Sequence, residues 1–240
     1  MRLRTRRWGA WPVAVALVLA WSMPASAAPV RVWNIPLGTP VTELGDDFVM
    51  PACGTNGGPP TVFLDGFADF ARCTVEAATG LREIWFSYDD ITEYFYRALR
   101  SSDEIVDGSR ANALFEQLVM FSLLVDGQGR VQGYRIISDP REDRAHRLNA
   151  LAITQPIKAV VFGAFGWQCV NLPAAEGEMP FNGQFIKEDC KKLSNGRAVT
   201  IQSRTLLKPG QRTQRVGEGF QLNEFDVRAH IEVVNAALAR

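Results

Sequence analysis

Residues 118–138 read LVMFSLLVDGQGRVQGYRIIS, and this stretch indicates the fold more clearly than any other part of the chain. An apolar run at 118–125 is followed by the turn sequence DGQG at 126–129, and the run at 130–138 alternates in side-chain character. Two strand-like runs joined by a short turn that contains Asp-Gly are typical of a β-hairpin. We therefore predict an antiparallel hairpin here.

Further strands are predicted on both sides of this hairpin. Residues 84–88 alternate, Asp89-Asp90 ends that strand, and residues 93–99 (EYFYRAL) predict the second arm of another hairpin. Strand-like runs also lie at 199–207 and 225–233. Because regular strand–helix alternation is missing, we predict an α+β fold made mainly of antiparallel sheet with a few short helices.

Four other segments are less regular. The sequence predicts a short amphipathic helix at 39–48, where apolar residues recur at helical spacing, and helical structure at 141–152. Residues 159–167 are apolar and predict a buried helix or strand, whereas 208–221 are polar and predict a loop.

The first 27 residues have the three parts of a secretory signal peptide. Four arginines precede an apolar run at 10–23, and Ala25-Ser26-Ala27 supplies a small-x-small cleavage site. The run is shorter than the ~20 apolar residues that a spanning helix needs. We expect cleavage after Ala27, a periplasmic or secreted protein, and no membrane span in the mature chain.

Four cysteines, at positions 53, 73, 169 and 190, predict two disulfides in an exported protein. Of the three possible pairings, we favour Cys53–Cys73 and Cys169–Cys190 because they close loops of similar size. No C-x-x-C motif and no closely paired metal ligands are present, so the sequence indicates neither a thioredoxin-like site, nor a metal site, nor another cofactor.

The cysteine spacing also suggests an internal duplication. Four pairs of features are related by an offset of 116 or 117 residues: Cys53 with Cys169, Cys73 with Cys190, Leu64-Asp65-Gly66 with Phe181-Asn182-Gly183, and Gly80 with Gly196. We therefore expect two related halves, 28–110 and 111–240, each with one disulfide.

The charge balance bears on possible partners. The full chain has 26 basic and 26 acidic residues, and removal of the four signal-peptide arginines leaves a small negative net charge. No dense Lys/Arg cluster with interleaved aromatic residues is present, so nucleic acid is not an expected partner.

The sequence does not indicate catalytic residues. The two histidines, His146 and His230, occur without a nucleophile motif, and Asp89-Asp90 is typical of a turn. Aromatic and acidic residues instead crowd the 84–99 region, where an aromatic face beside acids would suit recognition of a partner. The candidate binding residues are Trp85, Tyr94, Tyr96, Asp89 and Asp90.

The favoured function is therefore a non-enzymatic protein that binds another envelope or extracellular protein, in an oligomeric state that the sequence does not define. A periplasmic hydrolase that uses carboxylates such as Asp65, Asp69 and Glu93, and a small-ligand binder, stay open as alternatives.

An apolar-Gly-Thr start at residues 37–39 is followed by a loop bounded by cysteines and then by the aromatic strands. This part of the sequence resembles the small α+β module of the β-lactamase inhibitor protein. The likeness extends to the outer-membrane assembly lipoproteins that share this module. It covers residues 35–99 and, more faintly, 165–207. The resemblance implies tandem modules that bind other proteins across the face of the sheet. No Gly-Thr helix start precedes Cys169, and the hairpin at 118–138 adds strands to the module.

Overall fold

A computed structural model describes residues 30–89, 112–115, 117–141, 147–211, 213–216, 220–223 and 225–239. The main element of the fold is one nine-stranded antiparallel sheet, and two further strands form a separate pair. The strands are β1 (Phe48–Cys53), β2 (Arg82–Tyr88), β3 (Ala113–Leu114), β4 (Gln117–Val125), β5 (Val131–Ser138), β6 (Gln168–Asn171), β7 (Ile186–Ser194), β8 (Arg197–Leu206), β9 (Thr213–Val216), β10 (Phe220–Asn223) and β11 (Asp226–Asn235).

The long sheet consists of two four-stranded meanders that meet in its centre. Its strand order is β1-β2-β4-β5-β11-β8-β7-β6, with β3 added to β4. In each meander, the first strand in the sequence lies at an outer end of the sheet and the last strand lies at its centre. The last strand of the first meander, β5, therefore pairs with the last strand of the second, β11. Strands β1 and β6 are consequently the two ends of the sheet.

The predicted hairpin at 118–138 is confirmed as β4 and β5. Phe121 lies opposite Ile136 and Leu123 opposite Tyr134. The Asp126 carboxylate accepts hydrogen bonds from the backbone N–H groups of Gln128 and Arg130, both at 2.9 Å, which fixes the turn. The predicted strands at 199–207 and 225–233 are also confirmed, as β8 and β11.

One face of the sheet carries the apolar core. Alternate residues of the central strands are fully buried there, because strand side chains point to opposite faces in turn. The core is covered by short 3₁₀ turns, Val32–Asn34, Val41–Glu43 and Phe67–Arg72, and by a helical segment, α1, at residues 150–161. An aromatic cluster fills the β1-β2-β4 end, where the Phe48 and Phe86 ring centroids lie 5.0 Å apart.

Several sequence predictions were wrong. Residues 39–48 do not form a helix: a single 3₁₀ turn, Val41–Glu43, gives way to a turn, and β1 begins at Phe48. Pro40 and Gly45 explain this, since neither supports a continuous helix. The predicted loop at 208–221 contains β9 and the start of β10.

Three further predictions fall wholly or partly outside the described residues. Residues 93–99, predicted as the second arm of a hairpin with β2, lie outside them, as do residues 1–29 with the signal sequence. Of the helix predicted at 141–152, residues 142–146 lie outside them, whereas 147–148 and 150–152 are helical.

Both predicted cysteine pairs are disulfides in the structure. Cys53–Cys73 ties the end of β1 to the residue after the 3₁₀ turn Phe67–Arg72, whereas Cys169–Cys190 bridges paired positions of β6 and β7. Cys73 thus lies outside the sheet and Cys190 inside it. The duplication stays a prediction. Within the described residues, no helix has the length and apolar character needed to span a bilayer.

Candidate functional site

The two ends of the sheet differ in whether described backbone groups bond to the outer edge of the terminal strand. The outer edge of β1 is covered by residues 61–64, whose backbone exchanges hydrogen bonds with Pro51 and Cys53 at 2.8 to 3.0 Å. Strand β6 pairs with β7 on its inner side, and no described backbone group bonds to its outer side. A bare strand edge presents unpaired N–H and C=O groups that can pair with another chain.

All four residues of β6, Gln168–Asn171, are exposed. Cys169 and Cys190 share the core side of the sheet, so Val170 lies on the opposite side, where Leu193 of β7 also lies. The side chains of Val170 and Leu193 are 59% and 77% exposed. Val170 therefore lies on the edge strand itself and Leu193 lies beyond the start of β6, both on the side away from the core.

The loop at 162–167, between α1 and β6, flanks the edge on the core side. Phe165 is 90% exposed at this loop, the highest value for a large apolar residue in the described part of the chain, and Val160 at the end of α1 is 76% exposed. The expectation of a buried helix or strand at 159–167 was therefore wrong. The apolar run forms the π-helical end of α1 and an exposed loop, and only its neighbours Ile157 and Lys158 are buried.

Hydrogen bonds fix the shape of this exposed loop. The Lys192 ammonium group on β7 donates to the backbone carbonyls of Phe162, Gly163 (2.8 Å) and Phe165 (2.7 Å). The Trp167 indole N–H donates to the Gly163 carbonyl at 3.1 Å, and Gly163 adopts a φ of +79°, which favours glycine. The Phe165 side chain is therefore presented to solvent by an ordered loop.

The charges around β6 are mixed in sign. No acidic residue occurs between positions 148 and 175, but Glu188 and Asp189 of β7 lie opposite Asn171 and Val170. Three lysines, Lys158, Lys191 and Lys192, also lie beside the edge on α1 and β7. Lys158 is paired with Glu188 at 3.1 Å, and Lys192 is engaged by the loop carbonyls. Lys191 is exposed. We call the exposed residues Val160, Phe165, Val170 and Leu193 together with β6 the β6 edge patch.

Of the five binding residues predicted from the sequence, the structure describes Trp85 and Asp89. Trp85 lies on the face opposite the core, as predicted, and pairs with Ser122 across β2 and β4. It is half-buried and lines a cavity of about 190 Å³ together with Asp139 and Arg141. Asp89 is exposed after the end of β2, and Tyr94, Tyr96 and Asp90 lie outside the described residues.

The face opposite the core contains a buried ion cluster that sequence reasoning missed. The Arg135 guanidinium, in the centre of β5, bonds to Glu76 at 2.8 Å, Glu83 at 2.9 Å and Glu232 at 2.7 Å. The backbone N–H of Asn56 also donates to Glu83, at 2.6 Å. The only sequence signal was an arginine inside an otherwise apolar strand.

The cluster shifts the protonation of its members in different directions. Burial raises the pKa of Glu83 despite the nearby Arg135. For Glu76, burial works in the same direction, but the bonds from Arg135 outweigh it and lower the pKa. The carboxylates raise the pKa of Arg135 against the effect of its burial. Only Arg135 and Glu83 of this cluster are buried, so loss of either one would leave a buried charge without its partner.

His230 lies beside this cluster, on β11. Burial, with the positive charges of Arg135, Arg228 and Arg204, lowers the pKa of His230 to about 4. The alternation at 225–233 predicts that His230 lies on the polar, solvent-exposed face of its strand, but the side chain is 8% exposed, so this prediction was wrong. His230 pairs with Ile137 and Gln202, so no described carboxylate or nucleophile is its strand partner.

The second disulfide has an unusual neighbour. The Lys158 ammonium group lies 3.0 Å from Cys190 Sγ and 3.8 Å from Cys169 Sγ, and Glu188 Oε1 lies 3.1 Å from Cys190 Sγ. Cys169, Glu188 and Cys190 are close enough together to hold a metal ion, but both sulfur atoms are used in the disulfide.

No family model matches this chain, and neither a curated protein nor a solved structure matches it.

Proposed function

We propose that this chain is an exported, non-enzymatic binding protein that takes up an extended segment of another protein as an added strand at β6. The asymmetry of the sheet is the main support: the β1 edge is covered by residues 61–64, whereas no described residue bonds to the outer edge of β6, beside which apolar side chains are exposed. Strand addition at a sheet edge is a common way to bind extended peptides, with affinity from main-chain bonds and specificity from flanking pockets.

The order of the loop at 162–167 supports this proposal. A side chain that is held out before binding loses little conformational freedom on binding, so more of its contact energy contributes to affinity. Phe165 is presented in this way, because Lys192 fixes three carbonyls of the loop. Aromatic anchors of this kind are enriched among the residues that dominate binding energy.

A protein suits this surface better than a lipid bilayer does. Insertion of the β6 edge patch into hydrocarbon would strip water from the unpaired backbone groups of β6 without replacing their hydrogen bonds. An extended protein segment satisfies those groups and covers Phe165 and Val170 at the same time.

The partner segment is expected to be apolar with neutral or acidic flanks. The two acidic residues opposite β6 are already paired, Glu188 with Lys158 and Asp189 with Arg204, so the exposed Lys191 favours negative charge on the partner.

The compartment follows from the N-terminal sequence and the sulfur chemistry. Two disulfides are typical of proteins outside the cytosol, and the signal sequence at 1–27 would deliver the chain to the periplasm or the medium. The likeness to the β-lactamase inhibitor protein module agrees with a binding role, although we place the contact at the sheet edge rather than across its face.

The test is site-specific photo-cross-linking in the native host. A photo-reactive aromatic residue replaces Phe165, and the matched control carries it at Phe63, which is 66% exposed beside the covered β1 edge. We expect a discrete protein adduct from position 165, absent from position 63, that disappears when Val170→Lys is added. Equal adducts from both positions, or cross-links only to lipid or to a second copy of the chain, would refute the proposal.

A further inference from the structure

The two disulfides of this protein occupy opposite environments. Cys53 and Cys73 are both buried, at 5% and 2% exposure. Cys190 is fully buried, but Cys169 lies in the exposed terminal strand β6. One sulfur of the second pair therefore belongs to a residue at the surface, while the other lies inside beside α1.

A buried cation accompanies only the second pair within the described part of the chain. Lys158 is 7% exposed, and its ammonium group lies nearer to Cys190 Sγ, at 3.0 Å, than to Cys169 Sγ, at 3.8 Å. Glu188 bonds to Lys158 at 3.1 Å and holds it in place. Near Cys53–Cys73, Arg82 donates to the backbone carbonyl of Cys73 instead.

This arrangement matches what thiol–disulfide exchange requires. The exchange is faster when the departing sulfur leaves as a stabilised thiolate, and a neighbouring ammonium lowers the pKa of a thiol. Here the sulfur that would leave after attack on the surface cysteine is Cys190, the sulfur closest to Lys158. The Glu188 carboxylate lies 3.1 Å from the same sulfur and opposes this stabilisation, so Lys158 is the group that favours the thiolate.

We propose that Cys169–Cys190 is an exchange-active disulfide that oxidises an external dithiol, while Cys53–Cys73 is a purely structural one. A thiolate of the dithiol attacks Cys169 Sγ and forms a mixed disulfide, and the bond to Cys190 breaks to release a thiolate beside Lys158. The second thiol of the reductant then attacks its own sulfur in the mixed disulfide and releases Cys169. Two electrons pass to this protein, the reductant becomes a disulfide, and the proton of its second thiol ends on one of the two cysteine sulfurs.

This inference is independent of strand addition at β6, because small dithiols need no docking surface. The test treats the oxidised exported chain with dithiothreitol under native conditions, quenches it with acid, and counts free thiols at each cysteine by differential alkylation and mass spectrometry. We expect Cys169–Cys190 to open at least about tenfold faster than Cys53–Cys73, and Lys158→Met to slow that opening by about tenfold.

Two controls separate chemistry from misfolding. Lys158→Arg, which keeps the positive charge, should restore most of the rate, whereas a merely structural lysine would show no such dependence on charge. Phe63→Ser, at an exposed residue beside the covered β1 edge, should leave the rate unchanged. Opening of both disulfides at one rate, or an unchanged rate in a folded Lys158→Met variant, would overturn the inference.

Discussion

Gly133 of β5 lies against Val233 of β11 so closely that a Cβ atom at Gly133 would come within 2.1 Å of the Val233 carbonyl oxygen. This contact is at the junction of the two meanders, where Gly133 is paired with Val234. The absence of a side chain at this position therefore allows the two halves of the sheet to share hydrogen bonds.

Gly133→Ala should destabilise the whole sheet. The new methyl group must push β5 away from β11, and overpacking of this kind costs about 1–3 kcal/mol, or more where backbone has to move. Urea denaturation followed by circular dichroism measures the change. The matched control is Gly127→Ala in the β4–β5 turn, where nothing lies within 4 Å of an added Cβ atom. Equal stability of the two variants would show that the junction is not tightly packed.

Arg135→Met should be among the most damaging single substitutions. It leaves Glu83 buried without a counter-charge, and loss of one partner of a buried ion pair costs about 3–5 kcal/mol. Arg141→Met, which breaks the exposed pair with Asp139, is the control and should cost less than about 1 kcal/mol. Chemical denaturation at pH 7 gives both values.

The cost of Arg135→Met should also shrink in acid. In the wild-type protein the lowered pKa of Glu76 stabilises the fold at neutral pH, and this contribution is lost as pH falls below its ordinary value. In the variant, the raised pKa of Glu83 means that protonation at low pH relieves the unpaired charge. The difference between wild type and variant should therefore be largest near pH 7 and smaller at pH 4. A constant difference would contradict this account of the cluster.

His230 should make the protein sensitive to mild acid. Its pKa is lowered to about 4 in the folded protein from an ordinary value of 6.5, so the unfolded chain takes up a proton first. Stability is therefore lost as pH falls from 6.5 towards 4, by about 3 kcal/mol at most. His230→Gln should remove this loss, and proton NMR of the wild type should show one imidazole still neutral at pH 5, assigned with His146→Gln. An imidazole that titrates near pH 6.5 at position 230 would contradict the burial.

The local elements of the fold were predictable where turn-forming residues or a clear alternation of side chains occur in the sequence. Asp126 and Gly129 specify the β4–β5 hairpin within a few residues, and the alternation in β11 is visible without any partner. The pairing of β5 with β11 has no local signal, because it joins residues about a hundred positions apart through a close backbone contact at Gly133. Propensity also failed at 39–48, where Pro40 and Gly45 outweigh the apolar spacing.

The β6 edge patch could not be predicted for a related reason. Composition predicts that the apolar residues at 159–167 are buried, and only the tertiary structure shows Lys192, 27 positions after Phe165, fixing their loop at the surface. For Lys158 the sequence predicts exposure and the structure shows burial. A lone lysine in an apolar run predicts exposure, yet Glu188 and the disulfide provide it with a buried site.

Lys192→Met should loosen the loop that presents Phe165. Hydrogen bonds to a charged group are worth about 1.5–3 kcal/mol each to local order, and three carbonyls lose their donor in this variant. Hydrogen–deuterium exchange of peptides covering 157–167 should become faster, while Lys191→Met, its exposed neighbour on β7, should leave it unchanged. Unchanged exchange in both variants would show that Lys192 is not what orders the loop.

Strand addition at β6 is tested most directly by backbone hydrogen exchange of the oxidised protein, measured with and without the partner recovered by cross-linking at position 165. The amides of Cys169 and Asn171 should become protected in the complex, because their N–H groups point away from β7 and a strand added at that edge accepts them, and those of Phe48–Cys53 should not change. Protection confined to the Trp85 face, with β6 still exchanging freely, would contradict the assignment of the binding edge.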